Sequence, residues 1–432
     1  MQSDILTMKY TVKALVLSLF FIILLILLFL IRGIVNEREE LSRFAEQKIM
    51  DSWGGRFAAQ GPMLVIPGMK RELVRISTTQ GEKDELRDIP FNLIIMPKKL
   101  NISADFKTET RKYGIFATPL FAGEVKFSGN FDPSKAIAAL APGERIFINQ
   151  AEIHLILGLN GIRKISKSVW SGQELFFEPS GDSVIKAGLR AFRNAESDFD
   201  IAIDIQGGRS VRITPVGQDT HFSVSADWPS PSFQGSFLPV RSNITETSFD
   251  AQWDVNYLSR DIPLFKKDMG EIIRNESNFG VDFFKAINIY SLNMRAVKYG
   301  ILFIVIPFLM IFLLEIFTKQ TIHFIPYMLC GVGNLVFYLL LLSLSEQMPF
   351  FAAYFIASLA VTAMITLYSG SILALKKSLY IAVASVMAVS YIVLYGILNA
   401  ESYALLIGSV TIFAVIALIM YLTRGLDWSG QK

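Results

Sequence analysis

The residues of this sequence most capable of chemistry are ionisable side chains inside or beside long apolar runs. Glu315 stands near the end of one such run, and Glu346 and Glu401 lie in short segments between later runs. A carboxyl group at membrane depth is a functional candidate by default, typically in the transfer of protons or ions. The i, i+4 spacing of Glu315 and Lys319 favours a simpler interpretation, an ion pair at the membrane surface. Glu346 and Glu401 are expected in the headgroup region.

A proton path needs ionisable groups at the midplane of the membrane as well as at its surfaces. Glu315 and His323 supply candidates near one surface, but no acidic or basic residue of the sequence lies between the two surfaces in mid-run. The polar residue of that region is Asn334. Together with Gly331 and Gly333, it predicts close helix packing and an interhelical hydrogen bond. The sequence therefore favours a structural role for these polar residues over a role in proton transfer.

A second unusual stretch combines prolines and aromatic residues in the middle of the chain. Its members are Trp228, Pro229, Pro231, Phe233, Gly235, Phe237 and Pro239, and Trp253 follows shortly after. Prolines exclude a central strand, and large aromatic side chains need a surface against which to be buried. We interpret the stretch as a rigid corner whose Trp228 and Phe233 pack into the core. The alternative is an exposed aromatic rim that binds a glycan, a lipid or a partner protein.

Composition excludes several classes of function. The sequence has one cysteine, three histidines and a net charge of +3, with lysines and arginines dispersed along its length. Such a chain offers no disulfide framework, no cysteine-based zinc site and no basic stripe for nucleic acid. It also lacks the Gly-x-Ser-x-Gly, Walker and His-Glu-x-x-His motifs. We therefore predict a protein that is not an enzyme and that uses neither a metal nor another cofactor.

Apolar runs must position these side chains, and five of them follow one another in the last third of the chain. A helix crosses a bilayer core of about 30 Å with about 20 apolar residues, and in lipid such runs satisfy their backbone as helices. Pro307 should kink the first of the five by freeing the carbonyl of Phe303. A further run near the N-terminus follows Lys9 and Lys13 and has no small-residue cleavage site, so we predict an uncleaved signal anchor.

The short segments between the runs decide the orientation. One side carries Lys9, Lys13, Lys319, Lys376, Lys377, Arg424 and Lys432. Basic residues of short loops remain in the cytoplasm, so both termini are expected there and the large insert in the periplasm of a bacterial inner membrane. The predicted organisation is a cytoplasmic tail 1–13, helix 14–31, periplasmic domain 32–298, helices 299–317, 325–344, 350–375, 379–398 and 403–422, and a cytoplasmic tail 423–432.

The insert changes from helical to strand periodicity. Residues 36–50 are expected to extend the first helix as a stalk, with Phe44 and Ala45 on its packing face. Residues 60–290 alternate apolar and polar side chains, which is typical of antiparallel strands with one buried face. Gly207-Gly208 predicts a two-residue hairpin between two such strands. The fold class is therefore a multi-pass helical membrane protein, six transmembrane helices arranged 1+5, around a mainly β, sandwich-like domain.

The chain resembles the CreD family of inner-membrane proteins, also called cell envelope integrity proteins. The resemblance rests on Trp228-Pro229-Ser230-Pro231-Ser232-Phe233, with Gln60-Gly61-Pro62, Arg111-Lys112-Tyr113-Gly114, Phe127-Ser128-Gly129-Asn130-Phe131, Ala296-Val297-Lys298-Tyr299 and 337–346 in the same order. It implies an inner-membrane protein controlled by a two-component system and linked to envelope integrity and to tolerance of colicins and β-lactams. It implies no catalytic residues. Some relatives carry a longer tail after the last span, so we expect no function that depends on that tail.

Two functions remain open at this point. The first is a non-enzymatic protein of the envelope-stress response that supports envelope integrity. The lipid bilayer surrounds its helices, and its periplasmic β domain binds an envelope protein, a glycan or a lipid. The alternative is a transporter or an exporter of lipids or cell-wall precursors, whose β domain receives the cargo. The transporter hypothesis predicts a polar cavity among the five C-terminal helices.

Overall fold

The chain forms two compact units, which are described separately. The computed structural model describes residues 2–78, 81–181, 183–190, 192–267, 277–283, 288–318, 321–373, 377–400 and 403–424. The helical unit comprises Met1–Arg43 and Ile287–Lys432, and the β unit comprises Phe44–Ala286.

Long helices make up the helical unit. Among the described residues the helices of the whole chain are α1 Gln2–Ser52, α2 Ser134–Ala138, α3 Ile289–Thr318, α4 Phe324–Ser345, α5 Phe350–Leu373, α6 Lys377–Asn399 and α7 Ala404–Thr423. Over the described part of the chain, five of them (α1, α3, α4, α5 and α6) are long and apolar enough to cross a membrane. The apolar stretch found in α7, Ala404–Leu418, is shorter.

Helix α1 is continuous from the apolar N-terminal run to Ser52, so residues 36–50 are helical. Its buried apolar side chains recur every three or four residues and share one face. They are Phe20, Leu24, Leu28, Ile31 and Val35. On the stalk, Ala45 is buried whereas Phe44 is 64% exposed, so only part of the predicted packing face is covered.

Glycines on α3 and α4 let α1 approach closely. A Cβ atom at Gly331 would lie 2.5 Å from Cδ1 of Leu24, and one at Gly300 would lie 3.0 Å from Cδ1 of Leu28. Both distances are below ordinary van der Waals contact, so a larger residue at either position would displace the leucine side chain that packs there. The close packing predicted at Gly331 is therefore a contact with the first helix.

The β unit contains two sheets. Its strands, among the described residues, are β1 Phe57–Thr78, β2 Gly81–Ile95, β3 Lys99–Tyr113, β4 Phe116–Phe131, β5 Glu144–Ile146, β6 Glu152–Leu157, β7 Ile162–Trp170, β8 Gln173–Glu174, β9 Glu178–Pro179, β10 Val184–Gly188, β11 Ser197–Gly208, β12 Ser210–Thr214, β13 Asp219–Ala226, β14 Pro231–Gly235, β15 Arg241–Ile244, β16 Phe249–Asn256, β17 Phe265–Lys266 and β18 Phe279–Phe283.

The two sheets enclose one hydrophobic core and form a sandwich. One sheet has the order β14-β18-β12-β1-β6-β10-β9, with β2 and β5 also paired to β1 and β17 to β2. The other has the order β15-β16-β13-β3-β4-β11-β7-β8. Most neighbours are antiparallel, as alternation predicts, but β1 pairs with β12 and β3 with β13 in parallel. Parallel neighbours need long connections, which local periodicity does not reveal.

The hairpin predicted at Gly207-Gly208 is wrong. Both glycines belong to β11, which pairs with β4, whereas the next strand, β12, pairs with β1 and β18 in the other sheet. Arg209, with φ of 68°, takes the left-handed conformation at this crossing between sheets. The alternation on either side of the glycines correctly predicts two strands, but alternation does not say whether consecutive strands share a sheet.

Arg260 is a buried cation in the β unit that no sequence motif indicates. Its guanidinium donates hydrogen bonds to the carbonyls of Val216, Gly217 and Ile262, at 2.6, 2.8 and 2.5 Å. Burial lowers the pKa of Arg260 to about 10, which still leaves it charged at neutral pH. The side chain therefore ties the loop before β13 to the segment after β16.

Candidate functional site

The first polar cluster of the helical unit joins α1 to the end of α3. Lys13 Nζ lies 2.6 Å from both carboxylate oxygens of Glu315, and the Tyr327 hydroxyl donates to the same carboxylate at 2.7 Å. The ammonium group also lies 5.3 Å from the centre of the Tyr327 ring. The Glu315 side chain is only 15% exposed, and the ammonium group of Lys13 balances its charge at short range. We call these three residues the Lys13 cluster.

A second cluster joins α1 to the end of α4. Arg38 donates two hydrogen bonds to Glu346, from Nε at 2.8 Å and from Nη2 at 2.6 Å. The Tyr290 hydroxyl donates to the same carboxylate at 3.1 Å. Glu346 is 9% exposed, and the paired geometry of a guanidinium and a carboxylate fixes both side chains. We call these three residues the Arg38 cluster.

The two clusters are separated by the thickness of a bilayer. From Lys13 to Arg38 a continuous helix rises by about 37 Å, at about 1.5 Å per residue. A hydrocarbon core is about 30 Å thick and the whole bilayer about 40–45 Å. One cluster therefore belongs at each membrane surface, and the lipid-facing side chains of α1 lie between them. The first helix is tied to the rest of the helical unit at both ends.

A third cluster lies in the middle of the helical unit. Asn334 on α4 donates from Nδ2 to the carbonyl of Phe303 at 3.0 Å, and Tyr391 on α6 donates its hydroxyl to Oδ1 of Asn334 at 2.8 Å. Tyr354 on α5 donates to the carbonyl of Tyr391 at 2.6 Å. The Phe303 carbonyl is the one that Pro307, inside α3, leaves without its helical donor. This Asn334 cluster links four helices, and its polar groups bond to one another.

The structure gives the predicted membrane residues partners that are remote in sequence. Glu315 pairs with Lys13, whereas the partner expected from i, i+4 spacing, Lys319, lies outside the described residues. Glu346 is at the end of α4 as expected, with Arg38 as its partner. Glu401 also lies outside the described residues. Sequence reasoning misses these two partners because Lys13 serves there only as an orientation signal and Arg38 is only one residue of the stalk 36–50.

The proline and aromatic stretch packs on the core of the β unit. Trp228, Phe233 and Phe237 are partly buried against the core, and Trp253 is fully buried. The ring centroid of Phe233 lies 5.6 Å from that of Trp253, and the Trp253 indole donates to the carbonyl of Phe237 at 3.1 Å. These contacts favour the interpretation as a rigid corner.

The remaining members of the stretch shape its backbone. Pro231 begins β14, a strand at the edge of its sheet, where a missing amide donor is tolerated. Gly235 has φ of +110°, and a Cβ atom there would clash with the carbonyl of Asn278. Pro229 is exposed and Pro239 is half-buried. The prolines and the glycine therefore fix the path by which the aromatic side chains reach the core.

The outer face of the eight-stranded sheet carries a polar groove of about 520 Å³. Small side chains form its floor, among them Ser103, Ala122 and Ser223, and charged ones such as Asp105 and Lys126 stand beside them. Small residues on neighbouring strands leave a depression because the surrounding side chains are longer. The groove can hold a polar ligand through hydroxyl and charged groups.

The described residues do not assemble a metal site. No group of three or more His, Cys, Asp or Glu side chains among them converges as metal ligands would. His221 pairs with Asp254 at 2.6 Å on the outside of the β unit, and His154 with Glu152 at 2.8 Å. Glu152 loses solvation by burial, which opposes ionisation, but hydrogen bonds from His154 and Lys186 outweigh this and lower the pKa of its carboxyl group.

A family model described as "Inner membrane protein CreD" matches residues 9–429. The chain belongs to the CreD family. Inner membrane protein CreD of Escherichia coli strain K12 is 29% identical over 426 residues, covering 94% of this chain and 91% of that protein. The family predicted from the sequence is therefore confirmed. So is the fold class, a multi-pass helical membrane protein with a large β domain between the first helix and the rest.

Similarity to solved structures is weak. An M1 zinc metallopeptidase from Deinococcus radiodurans is 13% identical with a TM-score of 0.23, and the match covers 38% of each chain. Yeast LTA4 hydrolase in complex with bestatin is 9% identical with a TM-score of 0.19, and the match covers 37% of this chain and 26% of that one. The chain thus spans well under half of either enzyme, and these TM-scores carry no argument about fold or chemistry.

Proposed function

We propose that this CreD-family protein is a non-enzymatic component of a bacterial inner membrane that supports the integrity of the cell envelope. In this proposal the β unit faces the periplasm and binds an envelope component or a partner protein. The helical unit anchors it. The observation that carries the proposal is the pairing of α1 with the other helices at both membrane surfaces, with a midplane cluster whose polar groups bond to one another. These contacts fix α1 against the other helices, which suits a helical unit that serves as an anchor.

Charge placement supports the orientation. Lys13 pairs with the end of α3, α6 begins at Lys377, and Arg424 follows α7, so these basic residues share one end of the helical unit. Basic residues beside short membrane loops stay on the cytoplasmic side. The opposite end, where α4 ends at the Arg38 cluster, would then face the periplasm.

The polar groove of the eight-stranded sheet is a surface of the β unit that suits a partner. Its floor of small side chains leaves room for a ligand, whereas the proline and aromatic stretch is already engaged with the core. Hydroxyl, carboxylate and ammonium groups at one site suit a polar ligand such as a glycan or a charged protein surface.

Filling the groove tests the partner-binding part. Ser223→Arg places a long side chain on the floor of the groove, and Asn101→Arg makes the same change on the same sheet outside its lining. In cells whose own copy of the protein is deleted, Ser223→Arg should abolish complementation of β-lactam tolerance at normal abundance, whereas Asn101→Arg should complement. Equal complementation by both variants would remove the groove from the proposal.

A double variant tests the alternative, that the aromatic stretch contacts the partner. Trp228→Ala with Phe233→Ala should lower the amount of folded protein, because both side chains pack on the core. Loss of tolerance at normal abundance would instead assign partner contact to these aromatics. Orientation is tested separately by a reporter enzyme fused near Ser180, which should be active only in the periplasm.

The transporter hypothesis keeps its own test. It predicts that Glu315→Gln abolishes function without lowering abundance, because a proton-carrying carboxyl group would be lost. In the anchoring proposal the same change weakens the pairing with Lys13, so function and abundance should fall together.

A further inference from the structure

A cavity of about 460 Å³ lies between α3, α6 and α7. Sites for small molecules in proteins typically have about 300–1,000 Å³, so the space is large enough for a ligand. Its walls are aliphatic side chains with a few hydroxyl groups. Two of these hydroxyls are already used, because Ser390 donates to the carbonyl of Met387 and Thr411 to that of Ile407, each at 2.7 Å. The cavity therefore favours an apolar occupant.

The cavity extends through one leaflet. On α6 its lining runs from Leu379 to Val393, a rise of about 21 Å, and on α3 from Leu314 back to Phe303, a rise of about 16 Å. Half of a hydrocarbon core of about 30 Å is about 15 Å. Phe303 is the residue whose carbonyl bonds to Asn334 in the middle of the helical unit. The cavity thus runs from one membrane surface to the midplane.

Positive charge stands at the surface end of the cavity. Lys377 begins α6 just before the lining residue Leu379, and Arg424 follows α7 beyond the lining residue Leu418. Both side chains are exposed, and the Arg424 guanidinium lies 4.3 Å from the centre of the Tyr421 ring. An anionic phosphate at the membrane surface is attracted to such a pair.

Helix α7 leaves room for the occupant. None of its residues whose side chains are described is buried, and Phe413 and Leu405 are 74% and 86% exposed. An apolar helix that covers so little of its neighbours needs another apolar surface, which in a bilayer is supplied by lipid or by another helix.

We propose that this cavity binds one acyl chain of an anionic phospholipid, whose phosphate contacts Lys377 and Arg424. The chain lies between α3, α6 and α7 from the surface to the midplane. The proposal depends on membrane insertion of the helices and is independent of any role in the envelope.

Native mass spectrometry of the full-length protein tests the proposal. The protein is released from nanodiscs of phosphatidylcholine with a minor fraction of phosphatidylglycerol, and retained lipid is counted. Ala382→Phe with Val386→Phe fills the cavity, and Ile381→Phe with Ile392→Phe places the same side chains on the same helix outside its lining. The filled variant should retain about tenfold less phosphatidylglycerol, as a loss of about 1.4 kcal/mol of binding predicts, and the control as much as the native protein.

Lys377→Gln keeps the cavity open and removes a headgroup contact. It should reduce the preference for phosphatidylglycerol over phosphatidylcholine while leaving the total retained lipid nearly unchanged. Equal retention by the filled and control variants would overturn the proposal. The proposal would also be overturned if the native protein formed a stable dimer that retained no lipid, because a helix of a second copy would then occupy the cavity.

Discussion

The two units of this protein differ in what they leave exposed and in where they place their ion pairs. In the β unit, Trp253 and Phe279 are fully buried, and ion pairs such as Lys98–Glu196 lie in solvent with side chains 43% and 49% exposed. In the helical unit, Phe29 is 70% exposed and the Glu346 carboxylate is buried against Arg38. Both units bury apolar side chains, but the helical unit also exposes them and withdraws its carboxylates from the surroundings, as a lipid environment requires.

The same interaction therefore differs in importance between the units. An exposed ion pair contributes about 0–1 kcal/mol, because water solvates both partners in its absence. A buried carboxylate that loses its partner is left as an uncompensated charge, which costs about 3–5 kcal/mol when burial is complete. In the β unit, buried aromatic side chains contribute more to stability than exposed ion pairs do, since their apolar surface is removed from water on folding.

The sequence supplies a separate reporter for each unit. Four of the five tryptophans, Trp53, Trp170, Trp228 and Trp253, belong to the β unit. In a Trp428→Phe background, which removes the fifth, tryptophan fluorescence therefore follows unfolding of the β unit. The single cysteine, Cys330, is buried on α4, so thiol labelling follows opening of the helical unit. The two signals allow the comparison to be tested one unit at a time in the full-length protein.

The largest effect is expected for Trp253→Ala. The side chain is fully buried, with ring centroids of Phe222 and Phe279 at 5.3 and 5.6 Å. Removal of such a ring should lower the free energy of unfolding of the β unit by about 3–5 kcal/mol. Denaturant unfolding followed by tryptophan fluorescence measures it, and Cys330 labelling should stay slow. A smaller loss than that caused by Trp228→Ala, whose side chain is only partly buried, would contradict this ranking.

Glu346→Ala should be next. It leaves the Arg38 guanidinium and the Tyr290 hydroxyl without their shared acceptor. Because the Arg38 side chain is 35% exposed, we expect about 2 kcal/mol, less than for a fully buried pair. Cys330 labelling through opening of the helical unit should then accelerate about thirtyfold.

The matched control for that change is Glu196→Ala, which breaks the exposed pair with Lys98 in the β unit. It should alter stability by less than about 1 kcal/mol. If both variants lost the same amount of stability, the two units would not differ in the solvent that surrounds them.

Asn334→Ala tests the midplane cluster. It removes the donor to the Phe303 carbonyl and the acceptor of the Tyr391 hydroxyl. Interhelical hydrogen bonds in membranes contribute about 0.6–1.7 kcal/mol, so we expect labelling of Cys330 to accelerate severalfold. Ser358→Ala on α5 is the control, since that exposed hydroxyl donates to the carbonyl of Phe355 on its own helix and not to another helix among the described residues. Equal labelling of the two variants would mean that the cluster contributes nothing to packing.

The smallest effect concerns pH. Lys267 donates to both carboxylate oxygens of Glu144 at 2.7 Å, and the Ala141 amide donates at 2.8 Å, which lowers the pKa of Glu144 from its ordinary value of 4.5. A lowered folded-state pKa stabilises the β unit above pH 4.5, and this contribution is lost as the pH falls through the folded-state value.

Glu144→Gln should remove that part of the acid sensitivity, by less than about 1 kcal/mol because Lys267 is largely solvated. Denaturant unfolding followed by tryptophan fluorescence below pH 4.5 measures it. Cys330 labelling should be the same in both proteins, because Glu144 belongs to the β unit. An unchanged acid dependence of β-unit unfolding would show that the ion pair with Lys267 does not stabilise the fold.

Local sequence patterns predict the helices, the strands and one interhelical hydrogen bond of this protein. Apolar run length indicated the membrane helices, alternation indicated strands, and Pro307 with Asn334 indicated a freed carbonyl and an interhelical donor. All of these depend on neighbours within a few residues, where chain geometry restricts the possible partners. The error at Gly207-Gly208 arose at the limit of that range, since adjacent strands can belong to different sheets.

The sequence by itself determined whether each segment is surrounded by lipid or by water. Composition and periodicity decide whether a helix faces lipid and which face of a strand is buried in a core. Only the tertiary structure decided which remote groups meet. Lys13 and Glu315 are 302 residues apart, and Arg38 and Glu346 are 308 apart. Over such separations many pairings have similar local preferences. The choice among them is made by the packing of whole helices and sheets, which brings one carboxylate within reach of one cation.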